Sequence, residues 1–208
     1  MMFHNRNEAA DRLAGALEAY KGRNPLILAI PRGAVPMGQR LAKALNGELD
    51  VVLVRKLRAP FNPEFAIGSI DESGWTYIAD YADSAGGTPA YLAQEKQAQF
   101  NTIKKRRAQY TPLRPPIDPA GRIVIVVDDG LATGATMISA LHALRAQKPA
   151  RLICAVPVAP PDTLEKIRGY ADEVVCLQAP MFFQAVGQFY ADFPQVDDSE
   201  VKAILRQA

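Results

Sequence analysis

The chain has 208 residues, of which 49% are hydrophobic and 22% are charged, and its formal net charge is +2. This composition is typical of one globular α/β domain and excludes a disordered chain. The near balance of acids and bases gives no indication of nucleic-acid binding. No stretch approaches the roughly 20 apolar residues of a membrane span, and the first residues lack the apolar core of a signal peptide. We therefore expect a cytoplasmic protein.

The first part of the chain predicts an alternation of helices and strands. Apolar residues at helical spacing after Asn7 predict a helix that Asn7 caps and that ends near Gly22. Residues 26–30 are a short apolar run between two prolines, which favours a central strand. A turn and a helix through about Leu45 follow. Residues 49–54 predict a second strand, so this part indicates a βαβ unit.

Residues 57–119 interrupt this alternation and are interpreted as an insertion beside the main sheet. Two β-rich runs within residues 65–78 are joined by Asp-Glu-Ser-Gly, which predicts a hairpin. Residues 81–89 contain Gly-Gly and predict either a mobile loop at a site or a plain surface connection. Residues 90–110 predict one long helix.

The most informative stretch is a strand, a turn and a helix. Residues 123–127 are five consecutive β-branched residues, which indicate a parallel strand buried on both faces. Asp128 and Asp129 follow, then a turn rich in Gly and Thr, with Thr133 and Thr136 as candidate caps of the next helix. Free N–H groups at a helix start suit a phosphate, and ionised carboxylates accept from hydroxyls. The stretch therefore predicts a sugar-phosphate site.

The last part of the chain completes the sheet. Residues 151–156 and 173–177 predict two more strands, with a helix over residues 162–168 between them. The tail, residues 179–208, carries several aromatic residues and a short helix that Ser199 can cap. The expected fold is α/β, with one doubly wound, mostly parallel sheet, and the 208 residues form a single domain.

Residues 126–136, VVDDGLATGAT, resemble the phosphoribosyl pyrophosphate (PRPP) binding motif of the type I phosphoribosyltransferases. One position departs, because Gly130 stands where that motif usually has an aliphatic residue, and we expect it to loosen the turn. Residues 30–36, 54–70 and 190–193 extend the resemblance to uncharacterised members of the same superfamily, over most of the chain. The resemblance implies a Rossmann-related fold with a hood-like C-terminal tail.

The resemblance also implies the residues of the site. In an open sheet, the exit loops of the first strand and of the strand at residues 123–127 should face one crevice. Mg²⁺ would bridge oxygens of the donor, near the two acids and without direct protein ligands. The expected residues are Arg32, Gly33, Asp128, Asp129, Ala132, Thr133, Gly134, Ala135 and Thr136 for PRPP; Asp128, Asp129, Arg55 and Lys56 for catalysis; and Phe182, Phe183 and Val186 for the acceptor. An ordinary turn is the alternative for Arg32, and solvated surface cations are the alternative for Arg55 and Lys56.

The acceptor is the least defined part of the expected site. Members of the family that act on 6-oxopurines carry an Asp at the position of Ala132, which resembles instead the adenine-type and orotate-type loops. Residues 183–187 together with Asp192 resemble the purine-stacking hood, with a spacing that is one residue longer. Phe182 or Phe183 either stacks on a flat acceptor or anchors the tail by packing.

The resemblance implies transfer of a 5-phosphoribosyl group from PRPP to a ring nitrogen of a nucleobase-like acceptor, with release of pyrophosphate. The alternatives are a PRPP-sensing regulator or nucleic-acid-binding protein without turnover, and a domain that binds another sugar phosphate. Lys104 to Arg107 fit a nucleic-acid patch or, as we favour, a solvated helix end. The expected partners are small-molecule substrates, a homodimer is compatible with them, and nucleic acid is not favoured.

Overall fold

Eight strands and six α-helices are described by the computed structural model, which covers all 208 residues. The strands are β1 (Leu26–Ala29), β2 (Glu48–Val51), β3 (Val54–Ala59), β4 (Asn62–Asp71), β5 (Thr76–Ile78), β6 (Ile123–Val127), β7 (Arg151–Val158) and β8 (Glu173–Gln178). The helices are α1 (Arg6–Ala16), α2 (Val35–Leu45), α3 (Pro89–Tyr110), α4 (Ala135–Arg145), α5 (Pro161–Ile167) and α6 (Asp198–Gln207). Short 3₁₀ turns lie at Glu18–Tyr20 and Val186–Phe189.

The central sheet has five strands in the order β2-β1-β6-β7-β8, and all neighbours are parallel. Because successive side chains of a strand point to opposite faces, β6 contributes side chains to two hydrophobic cores, one on each face of the sheet. Ile125 and Val127 lie in the core with α1 and α2, whereas Val124 and Val126 lie in the core with α4 and α5. The predicted doubly wound α/β fold is therefore confirmed.

The order of the strands reverses between β1 and β6, which are direct neighbours. Their register pairs Leu26 with Val124 and Ala29 with Val127, so both strands end at the same edge of the sheet. The loops that follow them leave the sheet side by side at this edge, where ligands bind in open α/β sheets. The predicted adjacency of the two exit loops is confirmed.

A second sheet corrects one predicted boundary. Strands β3, β4 and β5 form an antiparallel sheet of three strands, of which the predicted hairpin is one part. The second strand of the central sheet ends at Val51 and not at Val54, because Val54 already pairs with Asp71 in the small sheet. Arg55 and Lys56 therefore lie inside a strand of the small sheet instead of at the exit of β2.

The small sheet is joined to α4 by polar and aromatic contacts. Ser69 of β4 lies with its Oγ 2.6 Å from the carbonyl oxygen of Ala135 and 2.6 Å from Oγ of Ser139. Near the other end of α4, the Trp75 ring stacks on His142 with centroids 3.6 Å apart. The small sheet is thus fixed against the helix that follows the two acids.

Two helix caps differ from the prediction. Asn5 caps α1 by accepting a hydrogen bond from the N–H of Glu8 at 3.0 Å, and Asn7 lies inside the helix. Asp197, two residues before Ser199, caps α6. The long helix is confirmed as α3, which begins one residue earlier than predicted. The mobility of residues 81–89 stays a prediction.

Candidate active site

The turn between β6 and α4 presents a group of free backbone donors. The N–H groups of Ala132, Thr133, Gly134, Thr136 and Met137 donate to no protein acceptor. Gly134, with φ +79°, and neither predicted threonine, is the N-cap of α4. Thr133 Oγ1 accepts a long hydrogen bond of 3.4 Å from the N–H of Ala135, and Thr136 lies inside the helix. Unpaired N–H groups at the positive end of a helix dipole are the arrangement that binds a phosphate.

A neighbouring helix holds this turn in shape. The Thr163 hydroxyl of α5 donates to the carbonyl oxygen of Ala132 at 2.6 Å. A Cβ atom at Gly134 would lie 2.8 Å from Cγ2 of Thr163, so only glycine fits both the positive φ and the close approach. The N–H groups of the turn are therefore oriented before any ligand binds.

The two acids follow β6 directly, and each has one oxygen occupied by the protein. The Asp128 Oδ1 atom accepts from the N–H of Asp129 at 2.9 Å. The Asp129 Oδ2 atom lies 3.0 Å from Nε of Arg6, and the side chains of Asp129 and Arg6 are only 16% and 11% exposed. The two side chains are also hydrogen-bonded to each other. No other protein group donates to their remaining oxygens, so the pair can still accept from a ligand beside the turn.

Burial dominates the electrostatics of this pair. It raises the pKa of Asp128 well above the usual range, and the neighbouring charge of Asp129 raises it further. Burial also raises the pKa of Asp129, although the adjacent Arg6 guanidinium opposes this change. Keeping both carboxylates ionised and out of water is therefore costly. A ligand that supplies a cation or hydroxyl donors would reduce this cost.

The loop after β1 approaches the second acid. A Cβ atom at Gly33 would lie 2.3 Å from Asp129 Oδ2, so the glycine allows the two loops to approach each other. The Arg32 side chain is turned toward α6, where its Nη1 lies 3.9 Å from Asp198 Oδ1. The structure therefore brings together Gly33 and Asp129 and turns the Arg32 guanidinium toward α6.

Arg55 belongs to a cluster of cations between β3 and α3. Its Nε donates to Gln99 Oε1 at 2.9 Å. Burial lowers the pKa of Arg55, and the charges of Arg106, Arg58 and Arg32 lower it further. Arg58 is neutralised by Glu95 at 2.9 Å, whereas the partners of Arg55 and Arg32 are an amide and a distant carboxylate. Such a concentration of guanidinium groups suits a multiply charged anion.

Lys56 points away from that cluster, because neighbouring residues of a strand face opposite sides. It lines a cleft of about 570 Å³ together with the phosphate-binding turn. Its Nζ lies 3.3 Å from Oε2 of Glu64, whose side chain is 92% exposed. Arg55 and Lys56 were both expected at the catalytic site, but their side chains lie on opposite faces of β3 and contact different groups. The remaining walls are formed by Asn62, Phe65 and Ala66 of the small sheet, Pro160, and Met181, Phe183, Gln184 and Val186 of the tail.

Two of the three residues expected at the acceptor line this cleft. Phe183 lies in its wall and packs on Phe189, with ring centroids 5.1 Å apart. Val186 contacts the turn at Gly130, where a Cβ atom would lie 2.6 Å from Val186 Cγ1. Phe182 does not line the cleft and is 89% exposed. The departure at Gly130 therefore makes room for the tail and does not leave the turn loosely packed.

The basic run at the end of α3 is divided among different environments. Arg107 forms two hydrogen bonds of 2.7 Å with the carboxylate of Glu72. Arg106 lies near Arg55, whereas Lys104 and Lys105 are exposed. The run does not form a continuous cationic surface, which disfavours the nucleic-acid interpretation.

Several residues of the site carry no signal in the sequence. Arg6 lies in a helix that precedes the first strand, and Thr163 and Ser69 reach the turn from distant elements. Tyr190 donates from its hydroxyl to the carbonyl oxygen of Asp129 at 2.6 Å. Their side chains are ordinary surface or core types, and only the tertiary contacts distinguish them. The resemblance in residues 190–193 marked the region of Tyr190 but not its partner.

The comparisons agree with this geometry. A family model described as the phosphoribosyl transferase domain matches residues 3–194. A Mycobacterium tuberculosis protein named “Putative phosphoribosyl transferase” is 40% identical over 210 residues, which cover 100% of this chain and 47% of that protein. The crystal structure of TT1426 from Thermus thermophilus is 43% identical, with a TM-score of 0.82, over 100% of this chain and 99% of that one.

The chain therefore belongs to the phosphoribosyl transferase family, and its fold is that of the type I enzymes. It spans about half the length of the curated relatives that it matches. None of its helices is both long and apolar enough to cross a membrane.

Proposed function

We propose that the chain binds PRPP and transfers its 5-phosphoribosyl group to a ring nitrogen of a nucleobase-like acceptor, releasing pyrophosphate. One observation carries the proposal most directly: five free N–H groups lie beside two adjacent carboxylates. The turn would hold the 5-phosphate, and the acids would accept from the ribose hydroxyls. The cations around Arg32 and Arg55 supply charge for the pyrophosphate.

Magnesium fits this arrangement as an ion held mainly by the substrate. No group of three or more potential metal ligands occurs in the chain. Mg²⁺ commonly keeps several waters and binds through one or two carboxylates and substrate phosphates. Asp128 and Asp129 could provide these carboxylates. When bound, the ion would neutralise charge on the departing pyrophosphate.

Catalysis of this transfer needs positioning and electrostatic stabilisation more than a nucleophile from the protein. The proposed reaction breaks the bond between the anomeric carbon and pyrophosphate and forms a bond to the ring nitrogen. Charge develops on the sugar and on pyrophosphate, so preoriented donors and cations lower the barrier. The rigid turn and Arg55, held by Gln99, would act in this way.

The acceptor that suits the cleft is a flat ring. Phe183 offers an aromatic face, while Lys56, Asn62 and Gln184 offer polar groups at the wall. Ala132 brings no carboxylate to the position where the enzymes acting on 6-oxopurines have one. These features support an acceptor outside the 6-oxopurines.

Isothermal titration calorimetry with PRPP, with and without Mg²⁺, tests the donor half of the proposal. Pyrophosphate release with a panel of nucleobases and related heterocycles tests turnover. Asp129→Asn should lose both signals, whereas Asp118→Asn, an exposed carboxyl change before the start of β6, should keep them. Tight Mg²⁺-dependent binding without pyrophosphate release across the panel would favour the PRPP-sensing regulator. Absence of PRPP binding would overturn the proposal.

The proposal further includes a cytoplasmic location and a homodimer. Small-molecule substrates are its expected partners. Sedimentation velocity with and without PRPP would test the homodimer, and a single monomeric species under both conditions would exclude it.

A further inference from the structure

Arg6 is held in one orientation by three groups. Its Nε donates to Asp129 Oδ2 at 3.0 Å, its Nη1 donates to the carbonyl oxygen of Pro194 at 2.5 Å, and its guanidinium lies 3.8 Å from the centroid of the Phe193 ring. The side chain is 11% exposed. A long, flexible side chain loses much rotamer freedom in such a setting, so its orientation is specified by the fold.

The supports of Arg6 come from both ends of the chain. The N–H of Phe3 donates to the carbonyl oxygen of Phe189, and the N–H groups of Ala191 and Asp192 donate to the carbonyl oxygens of Phe3 and His4, each at 2.8 Å. We call residues 3–6 together with 189–194 the terminal clamp. The Tyr190 hydroxyl from this clamp also holds the backbone of Asp129. The clamp therefore contacts both the side chain and the backbone carbonyl group of Asp129.

These contacts define which carboxylate oxygen is available. Arg6 occupies Oδ2 of Asp129, and Gly33 closes the space beside the same oxygen. Asp128 likewise has one oxygen occupied, because its Oδ1 accepts from the backbone. Apart from the contact between the two acids themselves, no other protein group donates to their remaining oxygens, which could accept from ribose hydroxyls.

A purely stabilising ion pair is the simpler role for Arg6. Burying a charged pair gives little or no net stability, however, because both groups lose their hydration. The location of this pair, on one of the two acids beside the turn, is better explained by a requirement for orientation.

We propose that Arg6 is a positioning residue that aims the Asp129 carboxylate at a ribose hydroxyl, so that the terminal clamp is part of the donor site. This proposal rests on the proposed function, because it assigns to Asp129 a sugar hydroxyl as its ligand. Arg6 itself contacts Asp129 and not the substrate.

The test compares Arg6→Gln, Arg6→Lys and wild type in their binding of PRPP with Mg²⁺, ribose 5-phosphate and inorganic phosphate. Arg6→Gln should weaken PRPP and ribose 5-phosphate by about 10-fold or more, in the range of one charge-assisted hydrogen bond. Inorganic phosphate needs only the turn, so it should bind equally well to wild type and to Arg6→Gln. Arg6→Lys should recover part of the loss. The matched control is Arg40→Gln, which removes an Arg–Asp pair between α1 and α2.

The other outcomes reject the positioning role of Arg6, the proposed function, or both. Unchanged ribose 5-phosphate binding in Arg6→Gln would overturn the positioning role. Equal weakening of ribose 5-phosphate and inorganic phosphate would also overturn it, because the change would then act on the whole fold. If wild type binds ribose 5-phosphate but not PRPP, the proposed function fails while the Arg6 comparison still stands. If wild type binds neither, both proposals fail.

Discussion

The donor half and the acceptor half of the proposed site are lined by different kinds of groups. The donor half, residues 128–136 with the loop at 32–33, consists of backbone N–H groups and two largely buried acids, fixed by Thr163 and Arg6. The acceptor half consists of side chains on the small sheet and the tail, where Met181 and Glu64 are 81% and 92% exposed. A site made of backbone tolerates little change, whereas exposed side chains can vary without loss of the fold. Donor chemistry can therefore persist while the acceptor changes.

Gly134→Ala should have the largest effect, because it attacks the donor half at its backbone. The new Cβ would meet Thr163 at 2.8 Å in a region of positive φ. We expect PRPP affinity to fall by roughly 100-fold, as when a preoriented donor is lost from a site. Gly121→Ala is the matched control, since it has φ +70° and no atom within 4 Å of the added carbon. Equal PRPP affinity in the two variants, measured by calorimetry, would contradict the prediction.

Asp128→Asn should make the protein more stable at neutral pH. Burial raises the pKa of Asp128 in the folded state, so folding favours the protonated form and stability falls as the pH rises through that pKa. Asparagine cannot ionise and can still accept from the N–H of Asp129. Urea unfolding should show a gain on the order of 1 kcal/mol at pH 8, which shrinks as the pH falls below the raised pKa and disappears below the pKa of the unfolded chain, about 4. A gain that is constant with pH would refute the electrostatic explanation.

Phe183→Ala and Phe182→Ala compare a packed residue of the acceptor half with an exposed neighbour. Phe183 packs on Phe189 and lines the cleft, so its removal should cost about 1–2 kcal/mol of stability and raise the KM for the acceptor. Phe182 is 89% exposed, and its removal should change stability by less than about 0.5 kcal/mol. Thermal unfolding and initial-rate kinetics measure both effects. Equal effects of the two changes would show that the tail does not hold the orientation described here.

Neutralising Lys104 and Lys105 together should have the smallest effect. Both lysines are exposed, and Arg106 and Arg107 turn toward other groups. Stability and PRPP affinity should stay within about 0.5 kcal/mol of wild type. A salt-dependent retention on a nucleic-acid column that the double change abolishes would instead favour the regulatory alternative.

The donor half was the more predictable one for a physical reason. A buried parallel strand, two acids and a glycine-rich helix start are local features, so residues 123–136 indicate the strand and the turn together. The phosphate ligand of the turn stays a prediction. The fold followed from the same periodic signals. The boundary between β2 and β3 was predicted wrongly, because the apolar run through Val54 continues across two sheets and does not show where one ends.

Contacts between distant elements could not be predicted in the same way. Nothing in the sequence distinguishes Arg6 from the other arginines, and the neighbours Arg55 and Lys56 were separated only by the alternation of β3. Phe182 and Phe183 are equivalent as letters, yet one is exposed and the other lines the cleft. Tertiary packing decides each of these cases.

The pairing of the two chain ends has a consequence for how the protein folds. The Arg6 to Pro194 contact joins positions 188 residues apart, so it closes almost the whole chain into a loop. The entropic cost of such closure rises with loop length, and contacts of high sequence separation form slowly. The parallel sheet and its helices can assemble before this step, but the second acid reaches its final surroundings only afterwards. On the proposed function, we expect the sugar site to mature late in folding, so that a refolding chain acquires phosphate affinity before it acquires affinity for the sugar.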